Sequence, residues 1–330
     1  MRVLVVGGAG YIGSVVTRSL LEHGHQPIVL DSLITGHRDA VPAEVEFIEA
    51  DVSQQELLIS TLRSGVEAVM HFAARSLVGE SVQRPELYWS TNVCGTRGLL
   101  DAMRAAEVRR LVFSSTAATY GEPETVPVPE SARVAPTSPY GSSKLAVDLM
   151  IHDEARAHGL EAVSLRYFNV AGAVPGATER HHPETHLIPN LLRVASGLSS
   201  ELVLFGDDYP TPDGTCIRDY VHVEDLARAH LLALAALDQG RAGTPGSHRI
   251  YNLGNGAGFS VLEVVAAARL VTGKPIPVRV APRRAGDPAV LVASSAKIEA
   301  DLGWKPLKPG LDEIVGDAWR FYTEPGAHPN

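Results

Sequence analysis

Short, apolar, β-branched runs alternate with helix-like stretches over the first half of the chain, and this alternation restricts the fold more than any other feature. The runs are MRVLVV, HQPIVLD, VEFIEAD, EAVMHFAA, RRLVFSS and EAVSLRYF, and the stretches include SVVTRSLLEHG, SQQELLISTLRS, TNVCGTRGLLDAMRAAE and SKLAVDLMIHDEARAHG. Runs apolar on both faces belong to buried parallel strands, and parallel strands need crossovers that helices supply. The expected fold is α/β, a Rossmann-type doubly wound parallel sheet that binds ligands at the carboxyl ends of its strands.

After Phe168 the rhythm breaks. GAVPGATERHHPETHLIP reads as loop, and later segments mix short strands, helices and Pro/Gly turns. VHVEDLARAHLLALAAL has the pattern of an amphipathic helix that returns to the first unit. The expected organisation is a dinucleotide-binding domain over 1–170 joined by helix 221–238, with a smaller, discontinuous C-terminal substrate domain from 171–220 and 239–330. The tail TEPGAHPN is expected to fray.

Bulk properties exclude some function classes. Lys and Arg number 29 against 38 Asp and Glu, a formal charge of −9 that disfavours nucleic acid or an anionic membrane surface as partner. Cys94 and Cys216 are too few for a disulfide framework and lack metal-ligand spacing. VLVV meets glycines at once and reads as a strand, not as a signal peptide, and no run reaches spanning length. A cytoplasmic setting is expected.

VLVVGGAGYIGSVV sets Gly7, Gly10 and Gly13 between the first strand and the first helix. That spacing gives a tight turn, a close approach of backbone to a pyrophosphate and close helix–strand packing, with free N–H groups at the helix start. Asp31, closing the second strand, offers acceptors to a ribose diol and would repel a 2′-phosphate. No Arg follows in DSLITG, so NAD is expected over NADP. Asp51 and Val52 end the third strand and offer a carboxylate and an apolar wall for adenine. Phe72, Ala73 and Ala74 end the fourth, where small side chains let a cofactor lie on backbone.

SPYGSSK places Tyr140 four residues before Lys144, on one helical face and about 6 Å apart along the axis. The spacing alone is a weak signal. Its position, just after the hydroxyl-rich strand end holding Ser114, Ser115 and Thr116, strengthens it. A phenol is a poor base near neutrality unless a neighbouring ammonium favours the phenolate.

GGAGYIG, HFAA, STNVCGT, FSSTAATYG, YGSSK and RYFNVAGA resemble, in order, the landmarks of the extended short-chain dehydrogenase/reductase family. LFGDDYPTPDGTCIRDYVHVEDLA and APRRAGDP are similar to the matching segments of UDP-glucose (UDP-galactose) 4-epimerases. The resemblance implies Tyr140, Lys144 and Thr116 as catalytic residues. It implies cofactor contacts from Tyr11, Ile12, Asn92, Ser114 and Tyr167 besides those above. It implies a UDP-sugar site of Thr116, Asn169, Leu187, Phe205, Arg218, Arg284, Asp287 and Leu291. Arg suits diphosphate because its planar fork grips phosphate oxygens. A homodimer through paired helices is implied too. Thr116 stands where many relatives carry serine, and Ser76 receives no cofactor role. Ala117 and Ala118 replace the acidic pair that dehydratases of this fold place beside the strand-five threonine. Leu291, smaller than tyrosine, leaves UDP-N-acetylhexosamines open, and the sugar pocket also leaves pentose and uronate nucleotides open.

Other residues carry blander readings. His181, His182 and His186 in RHHPETH lack helical HExxH geometry and read as a polar loop, so no metal is expected. His222, Glu224 and Asp225 read as a helix start, and Cys94 as packing within a helix.

Overall fold

A computed structural model describes residues 1–181, 183–240, 246–284 and 287–323. His182 and the tail beyond Thr323 lie outside the described residues. In chain order the first half runs β1 (Arg2–Val6), α1 (Tyr11–Glu22), β2 (Gln26–Asp31), β3 (Glu46–Glu49), α2 (Gln55–Arg63), β4 (Ala68–His71), α3 (Val78–Gln83), α4 (Pro85–Tyr88), α5 (Gly95–Ala105), β5 (Arg110–Thr116), α6 (Pro139–His158) and β6 (Glu161–Tyr167). A π-helical turn, Trp89–Cys94, feeds α5. The rest is β7 (Asn169–Ala171), α7 (Leu187–Ala195), β8 (Leu202–Phe205), β9 (Ile217–His222), α8 (Val223–Asp238), β10 (His248–Leu253), β11 (Gly258–Ser260), α9 (Val261–Thr272), β12 (Val278–Ala281), β13 (Val290–Leu291), α10 (Ala296–Leu302) and α11 (Leu311–Tyr322).

The main sheet has seven strands in the order β10-β6-β5-β4-β1-β2-β3, and every pairing is parallel. Its strands are apolar on both faces because both are covered. Val3 and Val5 pack with α1 and α8 residues such as Val16, Leu20 and Leu234. Leu4 and Val6 face Leu58, Leu99 and Val147 of α2, α5 and α6. At about 25 cal/mol per Å² of apolar surface buried, these two layers supply most of the driving force for folding. Chain order reverses between β1 and β4, so the crevice at their carboxyl ends is the topological switch point where such sheets hold ligands.

The sequence pattern assigns 239–330 wholly to the second unit, and here the structure corrects it. β10 is the seventh strand of the main sheet, in register with β6 from His248↔Ala162 to Leu253↔Tyr167. α8 is the crossover that makes this possible, because it lies on the sheet beside α1 and leaves the chain at the β6 edge. α10, later in the chain, returns to pack on β10 and α8, and buried Trp304 just beyond it donates from Nε1 to the Asp225 carbonyl of α8 at 2.9 Å.

The smaller unit has its own core, formed by Leu191 and Leu192 of α7, Val264 and Ala268 of α9 and Ile314 and Val315 of α11. Over it lie β11-β9-β13, with β7 on β9, and the pair β12-β8. α9 starts with a reciprocal capping box between Ser260 and Glu263. His222, at the N-cap of α8, accepts the Glu224 N–H on its side chain at 3.1 Å. Cys94 is exposed and not packed, because the face of the π-helical turn that carries Asn92 is the buried one. Among the described residues no helix is long and apolar enough to cross a membrane.

Candidate active site

The cradle at the end of β1 is built from backbone. Gly7 has φ +85°, and a Cβ there would lie 2.4 Å from the Ala73 nitrogen, because Phe72 and Ala73 both donate to the Val6 carbonyl. A Cβ on Gly13 would lie 2.2 Å from the Gly7 oxygen, so α1 can sit this close to β1 only without one. Gly10 differs: the nearest atom to its Cβ position is the Gly7 oxygen at 3.5 Å. The first and third glycines are thus required for packing, while the second keeps open the face at the helix start. That is the distribution a bound pyrophosphate requires.

Asp31 is buried, and its two oxygens accept the Ala9 N–H and the Leu33 N–H, each at 2.9 Å. Each oxygen keeps a lone pair, so the carboxylate shapes the turn and can still accept a ribose hydroxyl. Asp51 follows β3 and accepts the Ser53 N–H at 2.9 Å, while buried Val52 packs on Gly95. Tyr11, beside partly buried Ile12, donates to the Gly172 carbonyl at 2.6 Å and so ties the glycine loop to the chain after β7. Burial, and then Glu179, hold its phenol well above the ordinary range. The Asn92 amide is fully engaged within the protein. It donates to the Arg75 carbonyl and Ser143 Oγ, both at 3.0 Å, and accepts the Arg75 N–H at 2.8 Å. In this structure it fastens the chain after Ala74 to α6.

The chemical group lies where α6 begins beside the end of β5. Ser138 caps α6 by accepting the Gly141 N–H at 3.2 Å, with Pro139 in the first turn. This start sets Tyr140 beside the end of β5, where the Thr116 hydroxyl accepts the Ala118 N–H at 3.2 Å. Lys144 is 3% exposed and donates to the Ser114 carbonyl at 2.8 Å, with Nζ 4.7 Å from the Phe113 ring centroid. The Tyr167 hydroxyl on β6 shares a 2.5 Å hydrogen bond with His230 Nε2 of α8. Burial raises the Tyr140 phenol, opposed by Thr116, and lowers the Lys144 ammonium to about 7, opposed by Asp148. In the protein alone the pair therefore tends towards its uncharged form, and an added positive charge beside it would favour the phenolate.

Sequence reading missed what surrounds this pair. Tyr88 packs edge-on to Tyr140 with ring centroids 6.3 Å apart, and its hydroxyl donates to Leu77 O at 2.7 Å and Glu80 Oε2 at 2.8 Å. No short motif marks such a contact, which the π-helical turn sets.

The expected nucleotide grip is brought together on the smaller unit. Asn169 on β7 pairs with Tyr220 of β9, Leu187 opens α7, and Arg218 lies in register with Leu291. Asp287 pairs with Arg218, with its Oδ1 3.5 Å from Arg218 Nη2. Arg218 Nη1 also donates to the Ile217 carbonyl at 2.9 Å and the Pro288 carbonyl at 2.8 Å, which fixes the guanidinium plane. Arg284 stacks over the Phe205 ring with its Cζ 3.9 Å from the centroid. Leu291 packs in a small cluster with Ala117, Tyr120 and Phe168, and this contact brings the smaller unit against the end of β5. Two residues not anticipated lie near Arg218 and Arg283. Burial raises the Cys216 thiol, opposed by Arg218, and buried Tyr209 has a hydroxyl without a hydrogen-bond partner among the described residues.

The loop after β7 straps the cradle. Arg180 makes two 2.8 Å bonds to Asp39, its carbonyl meets His37 Nε2 at 3.1 Å, and Arg18 donates to the Gly176 carbonyl at 3.1 Å. Within the loop, His186 Nδ1 sits 2.8 Å from Glu184 Oε1 and 3.0 Å from Glu179 Oε1, with His181 Nδ1 3.2 Å from the same Glu179 oxygen. The sequence reading as a plain polar loop overlooked both glutamates. Burial pushes Glu179 up, but His186 and His181 outweigh it and bring it down to about 2. Burial pushes His186 down, but Glu179 and Glu184 outweigh it and raise it to about 10. The stability His186 contributes is fully present below its ordinary value of 6.5 and is lost as pH rises to about 10. That of Glu179 is present above 4.5 and is lost as pH falls to about 2. Hydrogen exchange of residues 176–181 is expected to be slowest between about pH 4.5 and 6.5, after correction for the intrinsic rate. Protection that keeps rising up to pH 10 contradicts this clamp.

A glycine cradle at the switch point and a tyrosine–lysine pair at the end of β5, its lysine buried and its tyrosine half-buried, define a nucleotide-dependent enzyme of the short-chain type. The chain belongs to the NAD dependent epimerase/dehydratase family, whose model matches residues 3–254. Its relatives within that family include UDP-glucose 4-epimerases. It is 54% identical over 328 residues to that of Corynebacterium glutamicum, covering 99% of this chain and 97% of the relative. The crystal structure of UDP-glucose 4-epimerase from Brucella ovis in complex with NAD has a TM-score of 0.93 at 45% identity, covering 97% of this chain and 98% of that one. The enzyme from Bifidobacterium longum, in complex with NAD+ and UDP, has a TM-score of 0.91 at 34% identity, covering 98% of each chain.

Proposed function

We propose that this protein inverts C4 of a UDP-hexose, interconverting UDP-galactose and UDP-glucose with NAD as its cofactor. The observation that carries the reading is the group of half-buried Tyr140 with buried Thr116 and Lys144 at the end of β5, with only β4 between it and the strand of the glycine cradle. Gly7, Gly10, Tyr11, Ile12, Gly13 and Asp31 would hold the pyrophosphate and adenosine ribose, and Asp51, Val52, Phe72, Ala73 and Ala74 would line the adenine side and the crevice. Ser114, Tyr140, Lys144 and Tyr167 would meet the nicotinamide end. NAD, when bound, supplies the hydride acceptor that makes exchange at C4 reversible.

The chain's own residues do the remaining work. Tyr140 Oη takes the proton of the sugar 4-hydroxyl and later returns it, while the Thr116 hydroxyl holds the same oxygen. Lys144 favours the phenolate through its charge. Asn169, Leu187, Phe205, Arg218, Arg284 and Asp287 grip the UDP, and Leu291 borders the sugar. Binding energy placed on the non-reacting nucleotide keeps the oxidised sugar from leaving while it turns over its other face. The division of labour is a dinucleotide unit of 1–170 with 221–238 and β10, and a nucleotide-sugar unit from most of the remainder. The test is incubation of purified protein with UDP-galactose and no added NAD, followed by NMR. UDP-glucose is the expected product. No conversion, even with NAD supplied, removes the hexose assignment and points to pentose, uronate or acetamido sugars.

The reading includes a cytoplasmic homodimer. Val78 and Val82 on one face of α3, Trp89 beside α4 and Leu149 on α6 are 49%, 63%, 43% and 59% exposed, an apolar surface suited to a second copy. Leu149→Glu is expected to shift the protein from dimer to monomer in light scattering. A monomeric wild type rejects this part of the reading.

A further inference from the structure

Tyr140, Lys144 and Asp148 follow one another on α6 at steps of four residues, so they share a helical face. The reaction derived above uses the first two. Asp148 is as deeply buried as Lys144, each being 3% exposed. Its Oδ2 accepts three bonds, from Arg166 Nη2 at 2.9 Å, Arg166 Nε at 3.1 Å and Ser115 Oγ at 3.0 Å. Its Oδ1 is buried with no hydrogen-bond partner among the described residues. The ion pair with Arg166 is sealed from solvent on both sides, so its charges act at short range with little screening.

Lys144 needs such a charge. The Ser114 carbonyl and the Phe113 ring orient its ammonium, but neither carries a countercharge. Without Asp148, Lys144 and Arg166 would be two buried cations on adjoining elements, an arrangement that burial strongly disfavours. We propose that Asp148 is a positioning residue of the epimerase reaction, a buried counter-ion shared by Arg166 and Lys144 that holds the lysine ammonium beneath Tyr140. This rests on the reading given under the proposed function for the roles of Tyr140 and Lys144. The groups facing Asp148 from the packed elements are Ser115 on β5, Arg166 on β6 and His248 on β10, with His152 further along α6 and 6.3 Å from the His248 ring. Burial lowers His248 to about 4, so near neutrality Arg166 and Lys144 are the cations that Asp148 answers.

The consequence is chemical. Ammonium with phenolate and amine with phenol contain the same number of protons, and only the first leaves Tyr140 ready to accept one. A negative charge nearer to Lys144 than to Tyr140 favours the first form. Because the two forms hold equal numbers of protons, their ratio does not depend on pH. Removing the charge therefore lowers turnover throughout the profile and does not merely move one limb.

The test compares purified full-length wild type with Asp148→Asn, with Arg166→Gln and with the double variant Asp148→Asn/Arg166→Gln, all with NAD bound. Asp148→Asn is expected to lower kcat for UDP-galactose about 10- to 100-fold with KM within about threefold, and its acid limb should move to lower pH. The phenolate absorption of Tyr140, read as the difference from Tyr140→Phe, should fall with it. Arg166→Gln alone breaks the same buried pair but keeps the Asp148 charge for Lys144: the proposal predicts turnover and phenolate signal near wild type, whereas a merely structural role predicts the same loss as in Asp148→Asn. The double variant, which removes Asp148 together with the cation that repels Lys144, should fall between Asp148→Asn and wild type. A loss in folded Arg166→Gln equal to that in Asp148→Asn, or an unchanged profile in a folded Asp148→Asn, overturns the proposal. If Asp148→Asn does not fold, Arg166→Gln decides. A wild type that fails to convert UDP-galactose counts against the epimerase reading, whereas the phenolate band tests Asp148 independently of turnover.

Discussion

Tyr140→Phe is expected to lower kcat about 10²- to 10⁴-fold while leaving NAD and UDP binding within a few-fold of wild type. The substitution removes one oxygen and keeps the ring that packs edge-on to Tyr88, so α6 and its contacts survive. Only the proton transfer at the 4-hydroxyl loses its acceptor, and the neighbouring Thr116 hydroxyl has no comparable basicity. Steady-state kinetics with UDP-galactose, paired with calorimetric titration of UDP, separate the two effects. A variant within about threefold of wild-type turnover would remove Tyr140 from the chemistry.

Gly7→Ala is expected to be the most damaging small substitution. The new methyl would lie 2.4 Å from the Ala73 nitrogen, on backbone that is itself bonded to Val6, and φ is +85°. The left-handed conformation costs an L residue about 1–2 kcal/mol, and overpacking adds about 1–3 kcal/mol. A loss of about 3 kcal/mol corresponds to a fall in Tm of roughly 4 °C for a chain of this size, taking about 2.1 cal/mol/K of unfolding entropy per residue. Because the displaced atoms form the cradle, retained NAD should fall further than stability does. Gly10→Ala is the informative contrast, since its Cβ would have no protein atom nearer than 3.5 Å. It should leave Tm nearly unchanged and weaken cofactor retention. Equal losses of stability in both variants would contradict the separate roles of the two glycines.

Much of the dinucleotide unit was legible in the chain because its cause is local. Strands apolar on both faces, helices of matching length and glycines at fixed offsets impose parallel crossovers without reference to distant residues. The smaller unit was less legible. β10 opens on two polar residues, His248 and Arg249, and nothing in HRIYNL tells which sheet it joins. Glu179 and Glu184 carried no motif, although they and two histidines converge in one loop. Cys94 looked like a packed helical residue because a π-helical turn has no sequence period that sets it apart from an α-helix.

Residue order was enough to specify the sheet, the glycine cradle and the identity of the tyrosine–lysine pair, since each depends on residues a few positions apart along the chain. How that pair is tuned is settled only by packing. Asp148 reaches Arg166 on β6 and Ser115 on β5 only after three elements have come together, and the dry environment that makes those charges matter does not exist in the unfolded chain. Packing also brings Arg218, Asp287 and Leu291 to the end of β5, because β13 pairs with β9 in the folded molecule and lies nowhere near it in sequence. Local backbone geometry can be read from spacing, while electrostatic environment is set by burial, and burial is a property of the whole fold.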